Sequence, residues 1–60
     1  MIEIKNEGDG TYTILRGGAA LAWVSYSTLH KKWRLYKVTG HVRFFSSLQT
    51  VMSAAYTGDI

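Results

Sequence analysis

The sixty-residue chain has no cysteine, no proline and only four carboxylates. Without cysteine there can be no disulfide, no thiolate metal site and no thiol chemistry. Without proline, the punctuation falls to glycine: EGDG at 7–10, GG at 17–18, TG at 39–40 and a last Gly58. No apolar run approaches the roughly 18 residues of a membrane span, and the start MIEIKNEGDG does not read as a signal peptide. A soluble, cytoplasmic protein with no membrane contact is expected.

The few acidic residues are also unevenly placed. Glu3, Glu7, Asp9 and Asp59 all lie near the chain ends. Between Gly10 and Gly58 there is no carboxylate, while Arg16, Lys31, Lys32, Arg34, Lys37 and Arg43 all fall there, and the net charge is +3. A body of one charge sign attracts polyanions over a long range, whether nucleic acid, anionic lipid or an acidic protein surface.

The apolar fraction of 47% is that of a globular chain, and a single small domain over residues 1–60 is expected. A domain of this size buries only about 60% of its unfolded surface, so a partner or self-association would help to stabilise it.

Between the glycines the residues are β-branched and aromatic. They predict strands near 2–6, 11–16, 19–27, 32–38 and 41–45. A two-residue turn at Gly17-Gly18 would pair Ile14 with Leu21 and Tyr12 with Trp23. A second at Thr39-Gly40 would pair Leu35 with Phe44, Tyr36 with Arg43 and Lys37 with Val42. Direct partners share a face. Trp33, Leu35, Val42 and Phe44 would then face inward, with Lys32, Arg34, Tyr36, Arg43 and Phe45 on the other side. The middle hairpin has two registers. A loop of Thr28 to His30 buries Trp23; a longer loop, or a bulge near Ala22-Trp23, brings Val24 and Tyr26 inward and turns Trp23 out.

The segment SSLQTVMSAAYTG is the one helix candidate. Ser46 and Gln49 have capping-box spacing, Leu48, Val51, Met52 and Ala55 make one apolar stripe, and Gly58 suits a C-terminal cap. The expected fold is therefore α+β: an antiparallel β-meander of four to five strands, then one C-terminal helix packed on one sheet face. The outer helix face, Gln49, Thr50, Ser53, Ala54 and Thr57, carries no charge. That makes it a candidate packing surface for a protein partner or a homodimer.

Catalysis finds little support. The four carboxylates are dispersed, His30 lies in an expected loop and His41 just after a turn, so no convergent acid–base pair is visible. Two histidines and Asp59 have no metal-ligand spacing. NEGDG lacks the spacing of a phosphate or calcium loop and reads as a hairpin connection; RGG at 16–18 reads as a turn. No enzyme activity, metal or cofactor is expected.

The constellation left is the basic and aromatic sheet face. Lys32, Arg34, Tyr36 and Arg43 would come from adjacent strands, widened by Lys31, Lys37, Arg16 and His41. Such cations neutralise phosphates and release counterions, and arginine can read guanine from a major groove. Tyr36, and Trp23 in the bulged register, could instead stack on single-stranded bases.

Antiparallel strands followed by one helix, with a cationic face opposite it, resemble over Thr11 to Tyr56 the AP2-type plant domains and the arm-binding N-terminal domains of phage integrases. That resemblance implies a sheet entering the major groove, with Lys32, Arg34, Tyr36 and Arg43 contacting bases and phosphates. The chain departs from both in its additional N-terminal strand and uncharged helix. It also resembles small phage- or plasmid-encoded products that act on a host protein. Duplex DNA, ahead of RNA, is the expected partner. The alternative is an inhibitor or adaptor that binds an acidic protein.

Overall fold

The computed structural model describes residues 1–60. It is an α+β fold whose strands run β1 (Ile2–Asn6), β2 (Tyr12–Arg16), β3 (Ala19–Ser27), β4 (Lys32–Lys37) and β5 (Val42–Phe45), followed by α1 (Leu48–Tyr56). The strands form one five-stranded antiparallel sheet in sequence order. The helix crosses one face, meeting β1, β4 and β5. Ile14, Ala22, Val24, Leu35 and Phe45 from the sheet and Val51, Ala54 and Ala55 from the helix form the core, with Ile2, Ile4, Leu21, Trp33 and Ile60 packed around it. No helix is long and apolar enough to cross a membrane.

The loops decide which side chains reach each face. NEGDG is a hairpin connection: the Asn6 and Asp9 side chains accept from the amides of Gly8 at 2.9 Å and Thr11 at 3.1 Å, in the local turns these residues favour. Gly17 and Gly18 have φ of 57° and 83°, the two positive values a primed two-residue turn requires.

Beyond that turn the register shifts. Leu15 still faces Ala20, but Ile14 faces Ala22 and Tyr12 faces Val24. The simple pairing of Ile14 with Leu21 and Tyr12 with Trp23 is thus replaced by a bulge at Leu21. The bulged carbonyl is not orphaned, because the Val38 amide donates to it at 2.8 Å. The β3–β4 loop is the longer of the two alternatives, Thr28 to Lys31, since Ser27 faces Lys32. Val24 therefore turns into the core and Trp23 turns out. Tyr26 lies on the helix side but stays exposed, edge-on to Trp33 at 5.4 Å.

The last hairpin corrects the expected register by one residue. Arg34 faces Phe44, Leu35 faces Arg43 and Tyr36 faces Val42. The loop is Val38-Thr39-Gly40, closed by Gly40 donating to the Lys37 carbonyl at 2.9 Å and Lys37 donating to the His41 carbonyl at 2.8 Å. Gly40, at φ 97°, takes the left-handed position of a three-residue loop. A one-residue slip exchanges the faces of a whole strand. Phe45 and Arg43 therefore point toward the helix, and Val42 and Phe44 point away from it.

The helix starts one residue later than the capping-box spacing suggested. Ser47, not Ser46, is the N-cap, and its hydroxyl accepts from the Thr50 amide at 3.2 Å. Gln49 has no part in the cap. The C-terminal end closes on Gly58 at φ 79°, with Gly58 donating to Ala55 at 3.2 Å and Asp59 to Ala54 at 2.8 Å. That pair of bonds is a Schellman motif. Ala54, expected on the outer face, is only 8% exposed. It lies three residues from Val51 and so shares the sheet-facing stripe.

Candidate nucleic-acid interface

One sheet face packs under the helix; the other is open. The registers order the open face into rows across the strands. Lys5, Thr13, Trp23, Tyr36 and Val42 form one row over all five strands. Ser25, Arg34 and Phe44 form the next, and Ser27 and Lys32 the one beyond.

Trp23 is 42% exposed, and Tyr36, Val42 and Phe44 are each 41% exposed. Trp23 and Tyr36 lean on each other with ring centroids 6.1 Å apart. The Arg34 guanidinium lies 5.6 Å from the Tyr36 ring centroid, close enough for cation–π attraction. Phe44 is backed by the His30 ring at 4.5 Å, and His30 is steadied by a 3.0 Å contact of its Nδ1 with the Ser27 hydroxyl. Beside Tyr36 a depression of ≈ 450 Å³ is lined by Thr11, Trp23, Val24, Ser25, Arg34 and Tyr36.

The structure divides the seven expected nucleic-acid residues. Lys32, Arg34 and Tyr36 stand together on the open face, and Lys31 sits in the adjoining loop at φ 53°. The other three lie on the opposite side. Lys37 faces buried Ala22, Arg16 faces Ile2, and Arg43 faces buried Leu35. Arg43 has a structural task there: it donates to the Asp59 carbonyl at 2.7 Å, lies 3.6 Å from the Asp59 carboxylate and covers the Phe45 ring at 4.8 Å. It fastens the segment after the helix to the edge strand.

Charge on the open face is graded. Glu3 and Lys5 stand on it at β1, and Glu7, at the same edge, accepts from the Thr13 hydroxyl at 2.6 Å. The cations Lys32 and Arg34 stand on β4, and β3, β4 and β5 carry no carboxylate. Phe44 and Val42 were missed as surface residues because their strand was read one residue out of register.

No polar or charged side chain is buried. Hydrogen bonds from the Thr11 hydroxyl, then the Thr11 amide, hold the Asp9 carboxyl below the ordinary value. It lies in the β1–β2 turn. On the helix, Gln49, Thr50, Ser53 and Thr57 are exposed as expected, joined by Tyr56 at 63%.

No protein-family model, no curated protein and no solved structure matches the chain. The resemblance to AP2-type and integrase arm-binding domains therefore rests on element order alone.

Proposed function

We propose that the chain is a small non-enzymatic binding module that takes nucleic acid on its open sheet face. The observation that carries this reading is the contiguity of Trp23, Tyr36, Val42 and Phe44, all half exposed, with Arg34 and Lys32 on strands free of carboxylates. An apolar patch of this kind on a solvent face marks an interaction surface. Aromatic rings interleaved with cations match the base faces and phosphates of a polynucleotide. Lys31 and Lys32 extend the positive end, while Arg43, Arg16 and Lys37 act on the other side of the sheet.

The test is fluorescence anisotropy of labelled oligonucleotides at two salt concentrations. Arg34→Glu combined with Lys32→Glu should abolish binding, and affinity should fall as salt rises. Arg43→Glu should instead lower stability. Absence of binding even at low salt, or binding indifferent to both charge reversals, would refute the proposal.

A second reading is a protein-interaction module. The observation favouring it is the uncharged outer helix face of Gln49, Thr50, Ser53 and Thr57, which gains the ring of Tyr56. A partner or a second copy held by this face should survive nuclease treatment and be lost on Ser53→Arg. A strict monomer at high concentration, with no nuclease-resistant partner, removes it.

A further inference from the structure

We infer that the strand held by this face is single, with one base stacked on the Trp23–Tyr36 pair and a second on Phe44. This rests on the nucleic-acid reading and specifies its substrate class.

Three features of the face separate single strands from duplex. The first is ring geometry. Tyr36 faces Val42, and Phe44 faces Arg34, so Tyr36 and Phe44 are diagonal neighbours, about 7–8 Å apart. That is about twice the ~3.4 Å rise between stacked bases. Two bases resting on these rings would be drawn apart from each other, as in an extended strand. A duplex keeps its base faces stacked and presents only edges in its grooves.

The second feature is width. Five strands spaced about 4.8 Å apart make a face about 19 Å across. A major groove about 12 Å wide admits a two-stranded ribbon. Trp23, Tyr36 and Arg34 stand on the inner strands β3 and β4, with the rest of that width on either side of them.

The third is charge. With Arg43, Arg16 and Lys37 on the helix side, the cations next to the rings are Lys32 and Arg34 on β4, flanked by Lys31, and Lys5 stands two strands from Trp23 on β1 beside Glu3. That suits a few phosphates of one strand. The depression between Ser25, Arg34 and Tyr36 adds hydrogen-bonding groups for the edge of the base seated there.

The experiment uses Trp33→Phe protein, in which Trp23 is the one remaining tryptophan, titrated with oligo(dT), oligo(rU), a duplex of equal length and heparin. Single strands should quench Trp23 and bind more tightly than the duplex or heparin; the dT and rU arms distinguish DNA from RNA. The log–log salt slope should be about −1.4 to −2, from about 0.7 per phosphate for two to three contacts. Tyr36→Ala and Phe44→Ala should each weaken binding about 5- to 150-fold, the loss of one stacked base. Far-UV circular dichroism checks that both remain folded, and anisotropy with unmodified Trp33 gives the same ranking if Trp33→Phe does not fold. Equal affinity for duplex and single strand, with Trp23 unquenched and Tyr36→Ala without effect, would overturn the stacking inference and leave nucleic-acid binding intact. No binding to any of the four polyanions would overturn both.

Discussion

Alanine substitution at two consecutive phenylalanines tests the register on which the open face depends. Phe45 is 8% exposed, under α1, with the Arg43 guanidinium over its ring. Removing a buried Phe side chain costs about 3–5 kcal/mol through lost transfer energy and an unfilled cavity. Phe45→Ala belongs at the low end, about 3 kcal/mol, because β5 is an edge strand whose neighbours can relax. Phe44 is 41% exposed and touches His30, so Phe44→Ala forfeits about half of the ~1.5–3 kcal/mol of a fully buried ring, or about 1 kcal/mol. A domain of this length has about 3–9 kcal/mol in all. With a urea slope of about 1 kcal/mol/M for so small a chain, the midpoint should fall by about 1 M for Phe44→Ala and about 3 M for Phe45→Ala. Urea titrations followed by circular dichroism measure both. Equal losses, or a larger loss at Phe44, would refute the register and with it the composition of the open face.

Other predictions follow from the loops and the helix. Thr39→Gly should destabilise by about 0.5–1 kcal/mol, the entropic loss of adding a glycine, because Thr39 is not at positive φ; stabilisation would point to a two-residue turn. Ala54→Glu should unfold the protein, since it buries a charge with no partner, whereas Ser53→Arg one residue earlier should change stability by less than about 0.5 kcal/mol; thermal melts of the pair distinguish them. The Asp9 carboxyl is held down by Thr11, so its contribution is present above the ordinary aspartate pKa of about 3.9 and is lost as pH falls through the lower folded value. Thr11→Val should move the Asp9 titration upward in an NMR pH series; an unchanged titration would refute that cause.

The strand pattern and the one helix were legible because glycine turns separate the β-branched segments at three of the four strand connections; the fourth, Thr28–Lys31, has no glycine and left two registers open. The two primed positions at Gly17-Gly18 could be read directly, since each must reach positive φ. The bulge at Leu21 could be read only as one of the alternatives, near Ala22-Trp23. It depends on Ala22 and Val24 meeting Ile14 and Leu35 in the core, a tertiary preference with no local signature.

The last hairpin was different, because its signal was present in the residues. A primed two-residue turn at Thr39-Gly40 would place β-branched Thr39 at positive φ or leave the first position without glycine, and both are unfavourable. A three-residue loop with Gly40 at its end satisfies both residues. Lys32, Arg34 and Tyr36 were legible as outward because either register of the middle hairpin leaves them there. Arg43 was not, since its strand follows the turn that was misplaced. Ser47 won the cap over Ser46 because the helix begins where Leu48 can reach the core.

The uninterrupted order of the meander has a kinetic consequence. Every strand pairs with its immediate successor, so each hairpin can close over a short loop at small entropic cost and form within microseconds. The contact between α1 and β1 joins the two most distant elements and spans the longest stretch of chain. Its closure is the step at which the entropy of the whole chain opposes folding. Core substitutions on that seam, at Ile2, Ile4 or Val51, should therefore slow folding.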